Sequence, residues 1–373
     1  MLANGIPLLK TADKNGYAQA AFNVNTLEQI NAAVEIHEAL RAPLFIQGAQ
    51  LSNAFLGGRA DFKKGSIEDI KRGANLLGKY VSKKSEQTDI PMVLHLDHGK
   101  SFDVIKACVD GGYTSVMIDG SSLPYDENVA LTRKVSDYAH QYDVSVEGEL
   151  GVIAGVEDHV FSQNSTYTNP LKALDFIKKT KIDSLAVSYG TKHGANKGKN
   201  VKLRLQVIVA IKELLLGEGL DVNIVSHGSS TIPSYIVAEI NQYGGDISGS
   251  GGIPIDQLKR AIKCGVNKIN IDSDIRLACT RNMREISYLN LNFYQHDSVS
   301  AIFDLLSKYP HDIDPRTFLA PVMPMVTENK TTDKYQDQLN KLINLGTKEI
   351  MGSLIVQFGM VGKAPLVKEN LEK

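Results

Sequence analysis

Three of the nine histidines are each followed directly by glycine: His98-Gly99, His193-Gly194 and His227-Gly228. Imidazole is the commonest ligand for zinc and similar metals, and a catalytic zinc site keeps three protein ligands and one open position. A lone loop histidine is usually just a hydrogen-bonded polar residue. Three in the same local setting argue for a shared divalent metal. Carboxylates accompany them: Asp97 beside His98, then Asp119, then Glu147-Gly148-Glu149. A carboxylate next to a metal-bound substrate can act as general acid or base, or can orient a ligand histidine. Glu149 and Asp119 are further oxygen donors, and His95 reads as a support for the site rather than a ligand.

These residues need elements to bring them together. Short apolar runs occur at 19–24, 44–47, 92–96, 115–118, 145–149, 184–187, 223–226 and 268–271. Most are rich in Val, Ile or Leu with little strict alternation, as in strands buried on both faces. Helical patterns lie between them at 26–40, 103–110, 125–142, 170–180, 203–216, 233–243 and 273–289. Thr26 suits an N-cap, and Pro170 and Pro233 suit a first helical turn. Strands alternating with helices give a parallel sheet, and eight strands close a barrel. The expected fold class is α/β: a (β/α)8 TIM barrel over residues 1–325 with a C-terminal helical extension over 326–373. That extension carries a helix at 335–350 and packs on the barrel or on a partner subunit. Residues 151–169 read as a long polar loop. The Gly-rich run at 244–253 has no GxGxxG fingerprint and no strand feeding it, so it is not a dinucleotide site.

In such a barrel the active site lies at the C-terminal ends of the strands. His98, His193 and His227 then follow strands three, six and seven, and Asn270-Ile271-Asp272-Ser273 stand at strand eight. The stretches after strands seven and eight commonly bind phosphate. Backbone N–H groups of Gly228 and Ser230, and those opening the helix at Ser273, are candidates.

Composition bounds the partners. The formal net charge is −1, so nothing global attracts nucleic acid or an anionic membrane. No run of about 18 apolar residues is present, which excludes a spanning helix. The first residues lack the charged-then-apolar layout of a signal peptide. Cys108, Cys264 and Cys279 are odd in number and form no CxxC pair, which fits a reducing cytoplasm.

Taken in order, His-Leu-Asp-His-Gly at 95–99, Val116 to Ser121, Glu147 to Gly151, Gly190-Thr191 through His193-Gly194, His227 to Ser230, and Asn270-Ile271-Asp272 resemble the class II, metal-dependent fructose-1,6-bisphosphate aldolase family. The resemblance runs from about residue 16 to about residue 320. It implies a lyase of glycolysis or gluconeogenesis that cleaves fructose 1,6-bisphosphate to dihydroxyacetone phosphate and glyceraldehyde 3-phosphate. It implies zinc on His98, His193 and His227, a second divalent metal or alternate zinc position at Asp119 and Glu149, and a monovalent cation. Asp97 matches the proton donor at the aldehyde-derived oxygen, Glu157 a group that moves the C3 proton, and Asn270 a group that steadies the enediolate. Asn23, Gly194, Gly228, Ser229, Ser230, Asn270, Asp272 and Ser273 match substrate contacts. Arg316 matches an arginine that reaches a neighbouring subunit's second phosphate, which implies a homodimer or larger homo-oligomer. Two positions depart from the pattern: Ala49 stands where relatives carry Ser, and Asn196 where they carry Tyr. Tagatose-1,6-bisphosphate cleavage and a non-catalytic binding protein are the alternatives. A barrel hydrolase would show a His-x-His pair on the first strand, but that strand ends in Phe22-Asn23-Val24-Asn25.

Overall fold

The computed structural model describes residues 1–157, 160–162, 166–197 and 201–372. The strands are β1 (Gln19–Asn23), β2 (Leu44–Gln47), β3 (Met92–Gly99), β4 (Ser115–Ile118), β5 (Ser145–Leu150), β6 (Gly155–Glu157), β7 (Val160–Ser162), β8 (Ser184–Val187), β9 (Asn223–Ser226) and β10 (Val266–Ile271). All but β6 and β7 pair in parallel and close a barrel in the order β1-β10-β9-β8-β5-β4-β3-β2. The (β/α)8 barrel with a helical C-terminal extension is therefore the fold. One expectation needs correction. Residues 151–169 are not wholly loop: β6 and β7 pair antiparallel there, with Gly155 opposite Ser162.

The strands alternate more than their composition suggests. Phe22, Ile46, Leu94, Leu96, Val116, Ile118, Val146, Leu185, Val187, Ile224, Ile269 and Ile271 all join the large core shared with the outer helices. Their neighbours point into the barrel. Near the N-terminal ends these are apolar: Ala21, Phe45 and Val93 pack with Leu8 and Leu9. Those two leucines come from the helix Gly5–Lys14, which plugs this end of the barrel. Higher in the interior Met117, Ala186 and Val225 form a small apolar cluster. Toward the C-terminal ends the inward residues turn polar: Asn23, Gln47, His95, Asp97, Glu147, Glu149, Lys268 and Asn270 are all buried. Period-two alternation thus puts oil outside every strand and chemistry inside its upper end.

The outer ring follows local rules. Thr26 accepts the N–H of Gln29 and caps Leu27–Ala39, and Asn169 caps Pro170–Thr180 with Pro170 in the first turn. Pro233 is the N-cap residue itself, one step before the helix Ser234–Gln242, so it precedes the first turn. Helices at Gln50–Leu56, Ile67–Ser85 and Ile255–Lys263 add to those expected. The tail helix is longer than its expected span, running Lys334–Gln357 from an Asp333 cap. It packs on Leu27–Ala39 and Ser273–Leu289 of the same chain. The last helix, Ala364–Leu371, returns to the plugged end, where Val367 joins Leu8 and Leu9. No described helix is long and apolar enough to cross a membrane.

Candidate metal centre and active site

The site is built on β3. Neighbours on a regular strand face opposite ways, which would send Asp97 and His98 apart. Here the pairing of β3 with β4 shifts register between Leu96 and Gly99, and His98 takes a left-handed φ of 48°. That irregularity aims both side chains into the barrel mouth. His227 arrives one residue past β9, and His193 from the loop after β8. The three rings lie edge to face, with centroids 4.7 Å apart for His98–His227, 5.2 Å for His98–His193 and 6.4 Å for His193–His227. The loops carrying His193 and His227 meet backbone to backbone. Gly228 has φ +59°, and a Cβ there would come within 2.6 Å of the Lys192 carbonyl carbon. The Gly-rich run contributes from the side: Gly251 N donates to Ala195 O, and Lys197 N to Gly251 O, both at 2.9 Å.

Hydrogen bonds assign the ring protons. Asp119 Oδ2 lies 3.0 Å from His98 Nδ1, and Glu147 Oε1 lies 2.6 Å from His227 Nε2. A carboxylate accepts, so each of those ring nitrogens carries the proton. The remaining nitrogens, His98 Nε2 and His227 Nδ1, then face each other at 3.0 Å. In a buried site such a pair is satisfied by a shared proton or by a metal cation. Two imidazole ligands of one tetrahedral zinc stand roughly 3.3 Å apart by Zn–N distances near 2.0–2.1 Å. Ligand atoms of Asp97, His98 and His227, and again of His98, Asp119 and Glu149, fall within 4.8 Å of one another. The residues therefore fit a divalent metal.

Charge in the pocket agrees. Burial opposes the His98 imidazolium, but Asp97, Asp119 and Glu149 outweigh it and push His98 up to about 10. Burial, and after it the nearby Asp119, push the Glu149 carboxyl up to about 7. The two extra oxygen donors differ. Asp119 already accepts from His98, Lys100 and both the backbone and hydroxyl of Ser121. Glu149 Oε2 is buried and accepts from no group among the described residues. Asp119 orients His98, and Glu149 is the open donor.

Asp97 is held by two amides: Asn23 Nδ2 donates to Oδ2 at 2.9 Å and Asn270 Nδ2 to Oδ1 at 3.0 Å. Gln47 in turn donates to Asn23 Oδ1. Both ends of the Asn23 amide are thus engaged within the protein, where a substrate contact was expected. Asn270 Oδ1 has no partner among the described residues. Asp97 Oδ1 lies 4.0 Å from His227 Nδ1, so the two side chains share one space.

A cavity of about 240 Å³ opens beside this cluster, lined by Gly194, Asp272, Ser273, Arg276 and Lys63 among others. Gly228, Ser229 and Ser230 are not in its lining. The Ser229 hydroxyl lies within hydrogen-bonding reach of Ser226 Oγ and the Ser226 and His227 carbonyls. Asp272 pairs with Arg276 and makes no side-chain cap. Larger clefts lie elsewhere, one of about 600 Å³ near Arg41 and Ile90 at the plugged end. Neither that cleft nor the one lined by Met1, Tyr113 and Leu371 holds a predicted site residue.

Arg316 lies inside the chain. Its guanidinium is fully buried, forked onto Asp314 and stacked 4.2 Å over Phe62, with Ser52 Oγ at 3.4 Å. Within this chain its partners are thus intramolecular. Glu157 ends β6, and its side chain lies outside the described residues. Two residues absent from the expected set belong here: Lys268, which joins Glu147 to His95, and Lys100 on Asp119. Lys268 was detectable as a charge two residues before Asn270, on the same strand face.

The class II fructose-bisphosphate aldolase family model matches residues 4–341. The chain belongs to that family. It is a lyase of the aldolase type. Similar members include a fructose-bisphosphate aldolase of Treponema pallidum, 39% identical over 367 residues, covering 94% of this chain and 96% of that one. A fructose-bisphosphate aldolase of Giardia intestinalis is 35% identical over 325 residues, covering 86% and 88%. Among solved structures, the fructose-bisphosphate aldolase of Campylobacter jejuni superposes with a TM-score of 0.67 at 20% identity, covering 97% of this chain and 96% of that one. That likeness bears on the fold alone. Family membership accounts for the metal-type cluster, since class II members are generally metal-dependent, and for sugar phosphates as the substrate class.

Proposed function

We propose that this chain catalyses the reversible cleavage of fructose 1,6-bisphosphate to dihydroxyacetone phosphate and glyceraldehyde 3-phosphate, with zinc held by His98, His193 and His227. The observation that carries the reading is the pair of facing imidazole nitrogens at 3.0 Å beside a carboxylate clamped by two amides. A bound metal supplies Lewis-acid stabilisation of the negative charge that develops on the ketose-derived half.

The chain's own residues do the rest. Asp97 takes the proton of the C4 hydroxyl as the C3–C4 bond breaks and returns it during condensation. Asn23 and Asn270 keep that carboxylate in one orientation, so the proton moves at a fixed place. Asn270 also faces the enediolate and steadies it. Glu157 moves the C3 proton, a role that rests on resemblance alone. Gly194, Asp272 and Ser273 receive one phosphate in the cavity they line, and Gly228, Ser229 and Ser230 shape the loop behind it. Binding energy from the two phosphates holds the reacting carbons in place. A second divalent ion at Glu149, a monovalent cation, cytoplasmic residence and assembly into a homo-oligomer belong to the same proposal.

A coupled assay for triose phosphate released from fructose 1,6-bisphosphate tests it, run with EDTA and after zinc is restored. Release that EDTA abolishes and zinc recovers supports the reading. The tagatose epimer is the comparison substrate, because buried Ala49 offers no hydroxyl to the aldehyde half. Release from tagatose 1,6-bisphosphate alone would move the assignment to that epimer. No release from either at saturating zinc would defeat it.

A further inference from the structure

Below the metal cluster a chain of polar contacts crosses the barrel interior. Ser115 Oγ lies 2.8 Å from His95 Nδ1, and His95 Nε2 lies 3.1 Å from Lys268 Nζ. An ammonium only donates, so His95 Nε2 accepts and His95 Nδ1 carries the proton to Ser115. Lys268 Nζ also donates to Glu147 Oε2 at 2.7 Å. The other oxygen, Glu147 Oε1, accepts from His227 Nε2 at 2.6 Å. Each residue in this chain is at most 4% exposed. Lys268 lies 5.1 Å over the Phe45 ring, so its ammonium caps the apolar lower interior and faces the metal cluster.

Core packing does not need such an arrangement. A buried ion pair is weak evidence for stability, because apolar residues of similar volume often serve as well or better. The lower interior is filled that way, with Ala21, Phe45 and Val93. What the ion pair adds is direction. A neutral imidazole has two tautomers, and only one leaves Nδ1 bare. An ion-paired carboxylate is acceptor-only, so Glu147 admits only the Nε2–H form of His227. Lys268, braced by His95, takes the second carboxylate oxygen and fixes which one faces the histidine.

We propose that Lys268 and Glu147 are positioning residues: they lock His227 in the tautomer and orientation that presents Nδ1 to the metal, with His95 and Ser115 bracing the lysine. The proposal rests on the metal reading above and goes beyond it in assigning this pair a role in metal binding rather than in folding.

The test compares wild type with Glu147→Gln, Lys268→Met and the double variant. Zinc affinity is measured by competition with a chromophoric chelator, metal geometry by the visible spectrum of the cobalt(II) protein, and folding by thermal unfolding of the metal-free chain. Either single change strands a buried charge and lowers the unfolding temperature. The double variant strands none and recovers it. Its zinc affinity nevertheless stays about 10–100-fold below wild type, the usual cost of losing a partner that orients a metal ligand. Its cobalt spectrum also differs from wild type, because Gln can offer His227 either its carbonyl or its amide. A double variant with wild-type zinc affinity and cobalt spectrum would overturn the proposal and leave the pair a structural device. Nitrogen-15 NMR of the zinc-loaded wild type checks the tautomer without any variant. A proton on His227 Nε2 supports the proposal, and a proton on Nδ1 overturns it. A wild-type chain that binds no zinc would sink the metal reading itself, a separate failure.

Discussion

The two ends of the barrel interior are built from the same strands and differ in kind. At the lower end the apolar side chains of Ala21, Phe45 and Val93 close on Leu8 and Leu9. At the upper end Asn23, Asp97, Glu147, Glu149, His227 and Asn270 are equally buried, and each is placed by a specific partner or by a charge it faces. On β1 the change takes one step of the inward face, from Ala21 to Asn23. On β3 it likewise takes one, from Val93 to His95. The lower end gains stability mainly from buried apolar area. The upper end gives up that gain for groups whose burial is costly unless paired. Stability and chemistry are thus segregated along the barrel axis, and changes at each end have separate consequences.

The largest effect belongs to the upper end. Asp97→Ala removes the proton-transfer group and lowers kcat by about 10²–10⁴-fold, the usual contribution of general acid–base catalysis. Zinc content, measured by elemental analysis, stays at the wild-type level because the histidines remain. Loss of zinc in that variant would make Asp97 a structural part of the metal site.

At the lower end the pattern reverses. Leu8 is fully buried in the plug, and Leu8→Ala costs about 2–5 kcal/mol of unfolding free energy through lost transfer energy and a residual cavity. Zinc affinity of the folded protein and kcat stay within about twofold of wild type. A denaturation curve beside a zinc titration checks both. A lost metal site would show that the two ends are not separable.

A smaller effect lies outside both interiors. His37, on the helix Leu27–Ala39, packs edge-on against Phe22 at 5.7 Å, and its Nδ1 lies 2.6 Å from Ala33 O. Burial, partly offset by that hydrogen bond, pulls it down to about 4. The unfolded chain takes a proton on this histidine near pH 6.5, and the folded chain resists until about pH 4. His37 therefore costs nothing above pH 6.5, and stability is lost as pH falls from 6.5 through 4, by about 3 kcal/mol at most. In His37→Gln the slope of unfolding free energy over that range flattens. An unchanged slope would mean His37 is protonated in the folded state.

Much of this organisation was legible in the sequence. β2, β4, β8 and β9 fall where their apolar runs predict, because the outward residues of each strand are apolar and carry the signal. The three His-Gly steps marked the site because each stands at or beyond the C-terminal end of a strand. The helix Ile67–Ser85 was also marked, by a capping box from Ser66 to Asp69 and by Ile70, Ala74, Leu77 and Val81 on one face, although it was not among the helices expected. Other features had no local signal. The left-handed turn of His98 depends on a slipped register with β4. The fork of Arg316 onto Asp314 is local, but its burial under Phe62 is set by the fold. The pairing of Lys268 with Glu147 joins residues 121 apart, so only barrel closure makes it.

Of the three histidines, His193 bears on the metal site most sharply. His98 and His227 face each other directly, whereas the His193 ring is 5.2 Å from one and 6.4 Å from the other. Equilibrium zinc affinity of purified His193→Ala, by chelator competition against wild type, separates a three-histidine centre from a two-histidine one completed by carboxylates. A three-histidine centre predicts affinity weakened by at least about 100-fold, as expected when one of three protein ligands is removed. Zinc bound as tightly as in wild type would contradict it.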